Sequence, residues 1–244
     1  MIEIKDLSVS FDEKVVINDI SCVIKKNILT TIIGKSGTGK SVLMKTVLGL
    51  IRPVSGEISI DSFSLKETKR NLVIERKKKM AMLFQSSALF DSMTVLQNVA
   101  FPLYEHTKLP FSQIKDKVIE VLKLVNLSES ILDNYPADLS GGMRKRDALA
   151  RAIIQEPEYL IYDEPTTGLD PITAGEIIKL INGLHERLSM TSIVITHDPE
   201  CIKEITQRLI MLDDGKIIYD DDFSKFRDCE HLSAKSFAEH IYGL

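Results

Sequence analysis

The chain has 244 residues, of which 44% are hydrophobic, and a formal net charge of −4. This length allows a compact domain that needs no disulfide or metal for stability, and the slight acidity disfavours a nucleic-acid binder, which would carry a basic surface. The three cysteines show neither zinc-ligand spacing nor a disulfide pattern, which indicates a reducing compartment. We recognise no secretory signal and no apolar run near the ~20 residues that cross a bilayer.

Strand patterns dominate the first sixty residues. Apolar and polar residues mostly alternate over residues 2–9, and β-rich stretches follow at Val15–Ile17 and Ser21–Ile24. The apolar run Leu29–Ile33 ends at Gly34, as is typical of a buried parallel strand. The pattern then predicts, in order, a helix at Ser41–Leu50, a strand at Gly56–Ile60 and a charged helix at Lys66–Lys79.

Strands and helices alternate in the rest of the chain. A strand predicted at Met80–Phe84 is followed by a mostly helical stretch from Ser86 to Ala150. Strand patterns return at Tyr159–Tyr162, Ile193–Thr196 and Leu209–Leu212, with helices between them. This alternation indicates an α/β fold with a parallel core, and the helical stretch, approximately residues 86–150, is predicted to be a lobe inserted between core strands.

The C-terminal segment is divided at residue 222. Residues 1–222 are predicted to form one domain, and Asp220–Asp222 to form a solvated turn. Residues 223–244 are a tail with apolar side chains, which predicts packing on this subunit or on a second copy, and the sequence leaves the two alternatives open. These apolar side chains belong to Phe226, Leu232, Phe237 and Ile241.

A phosphate-binding loop follows the strand that ends at Gly34. Residues 34–41 fit G-x-x-x-x-G-K-[ST] in full, and such a loop turns its backbone N–H groups toward phosphates at the start of a helix. Lys40 is predicted to reach the β- and γ-phosphates, and Ser41 to hold Mg²⁺. The predicted nucleotide-binding residues are Gly34, Lys35, Ser36, Gly37, Thr38, Gly39, Lys40 and Ser41.

Two acids stand at the end of the apolar run 159–162. A buried parallel strand places Asp163 at its carboxyl end, where nucleotide sites lie in open α/β sheets. Asp163 is therefore predicted to bind Mg²⁺ opposite Ser41. Glu164 points a second carboxylate toward the γ-phosphate and is predicted to be the general base that polarises the attacking water.

The segment Leu139–Met143 resembles the L-S-G-G-Q signature of the ABC ATPases. Ser140 has the character of a helix N-cap, and Gly141 and Gly142 expose backbone N–H groups at a helix start, which makes a second phosphate-binding element. The resemblance implies that this element completes the ATP site of a partner subunit, so that two copies act head to tail. Met143 replaces the usual glutamine, and we expect hydrolysis to survive this change.

Other residues resemble family motifs in the same order along the chain. Gln85 resembles the Q-loop glutamine, with a role at the metal and in catalysis, and Asp170 resembles the D-loop aspartate. His197 resembles the switch histidine that contacts the γ-phosphate. Phe11 stands where the family commonly stacks an aromatic ring on adenine, although a core position is an alternative. The resemblance covers residues 2–223 and implies a P-loop (RecA-like) core with a mostly parallel sheet, an N-terminal antiparallel β lobe and an inserted helical lobe.

Within this family, the chain resembles the ATPases of Mla-type phospholipid transporters, which maintain outer-membrane lipid asymmetry. The resemblance rests on residues 82–90, 98–107, 140–143 and 170–173. It implies membrane-spanning permease subunits, a lipid-binding periplasmic component and a place on the cytoplasmic face of the inner membrane. An importer ATPase for amino acids or another small solute is the alternative, and a non-transport ABC protein is less favoured because paired cassettes, arms and zinc modules are not recognised. We also expect the surface from Gln85 to Tyr104 to receive a helix of a membrane subunit.

Overall fold

The computed structural model describes residues 1–12, 14–66 and 78–243. Its strands are β1 (Ile2–Phe11), β2 (Lys14–Ile24), β3 (Leu29–Ile33), β4 (Ser55–Ile60), β5 (Phe63–Ser64), β6 (Met80–Leu83), β7 (Tyr159–Asp163), β8 (Thr191–Ile195), β9 (Arg208–Asp213) and β10 (Lys216–Asp222). Its α-helices are α1 (Lys40–Val47), α2 (Val95–His106), α3 (Phe111–Leu124), α4 (Gly141–Ile153), α5 (Pro171–Leu188), α6 (Pro199–Ile205) and α7 (Leu232–Tyr242). Short 3-10 helices occupy Glu129–Ile131, Pro136–Asp138 and Phe223–Asp228.

The central sheet has six strands in the order β10-β9-β3-β8-β7-β6. The five strands from β9 to β6 are parallel, and β10 pairs with β9 in the antiparallel sense. Every residue of β3, β7 and β8 is buried, as expected for strands covered on both faces. Because the parallel strands end at one edge of the sheet, the residues after β3, β6, β7 and β8 lie near one another.

A second sheet, in the order β2-β1-β4-β5, is antiparallel throughout. Its buried face packs on α1 and on one face of the central sheet, forming one continuous apolar cluster. Ile4, Ile17 and Ile58 contribute from the second sheet, and Leu43 and Met44 contribute from α1. The sheet therefore holds the start of α1 firmly against the core.

The helices α2, α3 and α4 form a lobe inserted between β6 and β7. Their facing apolar side chains, among them Val99, Val118 and Leu149, are almost completely buried together. Thr94 begins α2 with a capping box, in which its side chain accepts from the N–H of Gln97 and the Gln97 side chain accepts from the N–H of Thr94. The fold class predicted from the sequence is confirmed in its mixed α/β character, its antiparallel N-terminal sheet and its largely parallel central sheet.

Two C-terminal features differ from or extend the prediction. Asp220–Asp222, predicted to be a solvated turn, instead form the end of the edge strand β10, because pairing with β9 and the Arg208–Asp220 ion pair outweigh the low strand propensity of aspartate. The tail packs on its own subunit: Phe226 and Ile241 are buried against β9, while Leu232 is 85% exposed.

The helix predicted at 66–79 falls mostly on residues 67–77, outside the described residues.

Candidate active site

The loop between β3 and α1 has a backbone that requires glycine at two positions. Gly34 has φ +147°, and a Cβ there would lie 2.2 Å from the carbonyl oxygen of Leu212. Gly39 has φ +97°, and its Cβ would lie 2.7 Å from Ile17. The loop can therefore curl closely against β9 and β2 only with glycine at these places. α1 begins at the next residue, so its free N–H groups point into the loop.

Lys40 lies across the concave side of this loop. Its Nζ donates to the carbonyl oxygens of Gly34, at 2.7 Å, and Lys35, at 2.9 Å. Burial lowers the pKa of Lys40, and the carboxylates of Glu164 and Asp163 act in the opposite direction. A cation held at this position can exchange its two carbonyl contacts for the oxygens of a bound phosphate.

Ser41 and Asp163 face each other across the base of the site. The Ser41 hydroxyl donates to Asp163 Oδ1 at 3.0 Å. Burial raises the pKa of Asp163, while the hydrogen bond from Ser41 lowers it. A hydroxyl and one carboxylate are the oxygen donors that Mg²⁺ accepts alongside water and phosphate, so these residues fit that ion.

Glu164 has a left-handed backbone conformation, with φ +49°, which is uncommon outside glycine. Its N–H donates to the carbonyl oxygen of Ile195 at 2.9 Å, which ties it to the end of β8. Its carboxylate accepts from Thr167 Oγ1 at 3.3 Å and lies 2.9 Å from His197 Nδ1. The carboxylate is thus oriented by two neighbours.

A cavity of about 450 Å³ collects these groups. The phosphate loop, Gln85, Glu164 and His197 line it, so residues predicted from four separate parts of the sequence come together at one place. Gln85 follows β6, and His197 follows β8 after the buried Thr196. A cavity with a glycine loop, one buried cation and a carboxylate–histidine pair can bind a polyphosphate and activate water beside it.

The segment Ser140–Gly142 lies outside the lining of this cavity. Ser140 caps α4 by accepting from the N–H of Met143 at 3.2 Å, as predicted for an N-cap. Gly142 packs so closely on α5 that a Cβ would lie 2.5 Å from Thr173. Asp170 caps α5 by accepting from the N–H groups of Ile172 and Thr173, and it too lies away from the cavity. These residues therefore have no part in the wall of this cavity.

Phe11 and the C-terminal tail differ in whether they line the cavity. Phe11 ends β1, opposite Lys14, and is 46% exposed. It is not part of the cavity wall, where β2 instead contributes Val16, so its stacking on adenine stays a prediction. Phe237 of α7 does line the cavity, although the sequence left the placement of the tail open.

One neighbour of the site was missed by sequence reasoning. Lys145, in the second turn of α4, is only 5% exposed and reaches the backbone carbonyl oxygens of Gln85 and Glu164. A signal was present in the sequence, because Lys145 shares a helical stripe with Leu149 and Ile153, which are both buried. A lysine in an apolar stripe indicates a buried cation with a specific partner.

Comparisons with known proteins agree with this geometry. The family model described as ABC transporter matches residues 17–167. A methionine import ATP-binding protein, MetN, from Carboxydothermus hydrogenoformans is 41% identical over 89% of this chain, and the match spans 65% of that protein's length. The intermembrane phospholipid transport ATP-binding protein MlaF from Haemophilus influenzae is 40% identical over 89% of this chain and 82% of its own length.

The solved structures give the same result. A dimeric ATP-binding cassette in a post-hydrolysis state, bound to ADP and Pi, superposes with a TM-score of 0.82 at 28% identity, covering 91% of this chain and 98% of that one. The chain belongs to the ABC transporter family and is an ATP-binding, ATP-hydrolysing cassette of that family. None of the helices within residues 1–12, 14–66 and 78–243 combines the length and apolar character needed to cross a bilayer.

Proposed function

We propose that this chain is the ATPase subunit of a transporter that moves phospholipid between the membranes of a Gram-negative-type envelope. It acts on the cytoplasmic face of the inner membrane, as a dimer bound to membrane-spanning permease subunits, with a lipid-binding periplasmic component as a further partner. The observation that carries the catalytic part is the convergence of the phosphate loop, Glu164 and His197 on one cavity, with Asp163 bonded to Ser41 of that loop.

The reaction follows from the positions of these side chains. The loop N–H groups and Lys40 bind the phosphates, while Ser41, Asp163 and Gln85 form the place for Mg²⁺, which when bound neutralises phosphate charge. Glu164 accepts a hydrogen bond from the water and orients it for attack on the γ-phosphate. His197 orients that carboxylate by donating from Nδ1, and when the ring also carries a proton on Nε2, that N–H donates to the γ-phosphate.

Two copies close head to tail around two nucleotides in this proposal. The supporting geometry is that Ser140–Gly142 and Asp170 lie outside the lining of their own cavity, and that Ser140 is exposed at the start of α4. Each signature segment binds the γ-phosphate in the partner subunit. Hydrolysis removes the phosphate that joins the subunits, and the dimer reopens.

The choice of phospholipid rests on the relatives. The identity values for MlaF and MetN are nearly equal, at 40% and 41%, but the match spans 82% of MlaF and 65% of MetN. The match therefore covers more of MlaF than of MetN, and the Mla-type resemblance of residues 82–90, 98–107, 140–143 and 170–173 favours a lipid. The similarity to MetN supports import of an amino acid as the second candidate.

A transport assay separates the two candidates. The chain is purified from its native membranes in mild detergent with its bound subunits and reconstituted in proteoliposomes. We expect ATP-dependent transfer of fluorescent phospholipid, absent from a matched Glu164→Gln preparation, and no ATP-dependent uptake of labelled methionine. Methionine uptake without lipid transfer would refute the phospholipid assignment and leave the ATPase assignment intact.

A further inference from the structure

The helix that begins at the signature segment is bonded to the catalytic region of its own subunit. Lys145 lies one turn after Gly141, so about 6 Å of helix separates it from the signature N–H groups. Its Nζ donates to the carbonyl oxygen of Gln85 at 2.5 Å and lies 3.4 Å from that of Glu164. One side chain thus contacts the residues that follow both β6 and β7.

The same helix makes a second attachment farther along. Arg151 donates through Nη2 to the carbonyl oxygen of Ser87 at 3.0 Å and through Nη1 to that of Ala88 at 2.8 Å. Ser87 and Ala88 have φ values of +64° and +48°, in the left-handed region. Such a backbone persists only where its surroundings hold it. Two cations of α4 therefore hold the segment that follows β6.

The contact of Lys145 with Glu164 likewise acts on a residue with a left-handed backbone. Its φ of +49° aims the carboxylate into the cavity, and Ile195 accepts from its N–H on one side of the residue. On the other side, the Nζ of Lys145 lies 3.4 Å from the carbonyl oxygen of Glu164. A shift of that peptide would move the carboxylate relative to the water, and errors of about 1 Å can cost about 100-fold in rate.

Packing alone does not account for a lysine at this position. Leu149 and Ile153 fill the adjoining turns of the stripe, and an aliphatic side chain would fill this turn without bringing a charge out of water. Burial lowers the pKa of Lys145, and the carboxylates of Asp163 and Glu164 favour its charged form. The cost of burial is offset by hydrogen bonds to two carbonyl groups at the active site.

We propose that Lys145 is a positioning residue that fixes the backbone of Glu164 and Gln85 and couples it to the signature segment of the same subunit. The coupling between subunits rests on the head-to-tail dimer proposed above. When Ser140–Gly142 binds the partner's γ-phosphate, α4 is fixed, and Lys145 passes that constraint to Glu164 of its own site. The nucleotide bound in one ATP site thereby affects the position of Glu164 in the other site.

Steady-state kinetics test the positioning role in the full-length protein. We expect Lys145→Met to lower kcat about tenfold or more, with KM for ATP within about twofold, and Lys145→Arg to recover part of the loss. Lys115→Met, at an exposed position of α3, removes the same charge and should retain wild-type kcat. A wild-type kcat for Lys145→Met, or a loss confined to KM, would overturn the proposal. Thermal unfolding and ATP binding establish folding, and Lys145→Gln replaces Lys145→Met if the latter is unfolded.

Mixed dimers test whether Lys145 acts in its own subunit. One subunit carries Ser140→Arg and the other Lys40→Ala, which leaves one intact composite site. Adding Lys145→Met to the Ser140→Arg subunit, whose Glu164 serves the intact site, should reduce turnover about tenfold more than adding it to the other subunit. Equal losses or the reverse order would refute coupling within the subunit. If the parent mixed dimer is inactive, occlusion of labelled ATP in a Glu164→Gln background tests the head-to-tail arrangement, and the kinetic experiment decides the positioning role.

Discussion

Glu164 Oε1 and His197 Nδ1 lie 2.9 Å apart, although 33 residues separate them along the chain. Because an ionised carboxylate can only accept a hydrogen bond, Nδ1 carries the proton in this contact. Nε2 is the ring nitrogen that is proposed to contact the γ-phosphate. The pair joins the residue after β7 to the residues after β8. The proposed base and the proposed γ-phosphate contact are therefore held in one fixed relationship.

Glu164→Gln should lower kcat by about 10²- to 10⁴-fold while ATP binding is retained. An amide preserves the shape of the side chain but cannot act as the base. ATP hydrolysis and equilibrium binding of labelled ATP are measured in parallel. Glu120→Gln, at an exposed position of α3, makes the same chemical change outside the site and should be unaffected. Turnover within a few-fold of wild type would contradict the assignment.

Ser140→Arg should leave ATP binding by the single subunit nearly normal but block hydrolysis, because Ser140 lies outside its own cavity. The cap lost from α4 costs about 1 kcal/mol, too little to unfold the chain. Mixing this variant with Lys40→Ala places both lesions in one composite site and none in the other. Occlusion of labelled ATP is the measurement, in a Glu164→Gln background. One nucleotide per mixed dimer is expected, and none would contradict the head-to-tail model.

Much of the site could be predicted because its signals are local. The phosphate loop and His197 each follow an apolar strand, Asp163 ends one, and parallel strands end at one edge of the sheet. The contacts of Lys145 could not be predicted in this way. They depend on which face of α4 meets β6 and β7, and a pattern on one helix does not name its neighbour.

The C-terminal region shows the limit of local reasoning more clearly. Three successive aspartates predict a turn, since aspartate is unfavourable in strands. In the structure Asp220 pairs with Arg208 across the β9–β10 ladder, and the acids lie on an exposed sheet edge, where charge is tolerated. That outcome depends on a partner strand, which the three residues do not reveal by themselves.

The buried Asp147 should make the free energy of unfolding of this protein depend on pH. Within the part of the chain that the structure describes, neither of its buried carboxylate oxygens has a hydrogen-bond partner, and burial raises its pKa to about 7, although the Arg151 charge lowers it. The folded state therefore keeps this proton when the unfolded state has lost it, so stability falls as pH rises from about 4 to about 7. About three pKa units correspond to at most about 4 kcal/mol.

Asp147→Asn removes this titration. Its unfolding free energy should exceed that of wild type by an amount that grows from pH 4 to pH 7 and then levels off. Urea unfolding at several pH values measures the difference. Asp116→Asn, at an exposed position of α3, serves as the matched control and should show no such growth. A difference that is constant with pH would exclude a titrating Asp147.

Phe90 is the position at which the expected contact with a membrane subunit can be tested. Of the apolar residues between Gln85 and Tyr104, Val95 is fully buried in the lobe, whereas Phe90 is 41% exposed and Tyr104 is 45% exposed. The Phe90 ring is supported from behind by Phe101, at 4.9 Å between centroids, and by the guanidinium of Arg151 at 5.6 Å. A rigid, half-exposed aromatic ring is well suited to receive a helix.

Phe90→Glu should weaken assembly with the membrane subunit or uncouple ATP turnover from transport, because it places a charge in that contact. Arg151 links this ring to the carbonyl groups of Ser87 and Ala88, so force applied at Phe90 can reach the segment that follows Gln85. Copurification of the membrane subunit and the ratio of lipid transferred to ATP hydrolysed are the measurements. Phe111→Glu makes the same change at a 58% exposed aromatic of the same lobe and should have no effect. If the Phe90 variant assembles and transports like wild type, the force leaves the lobe elsewhere.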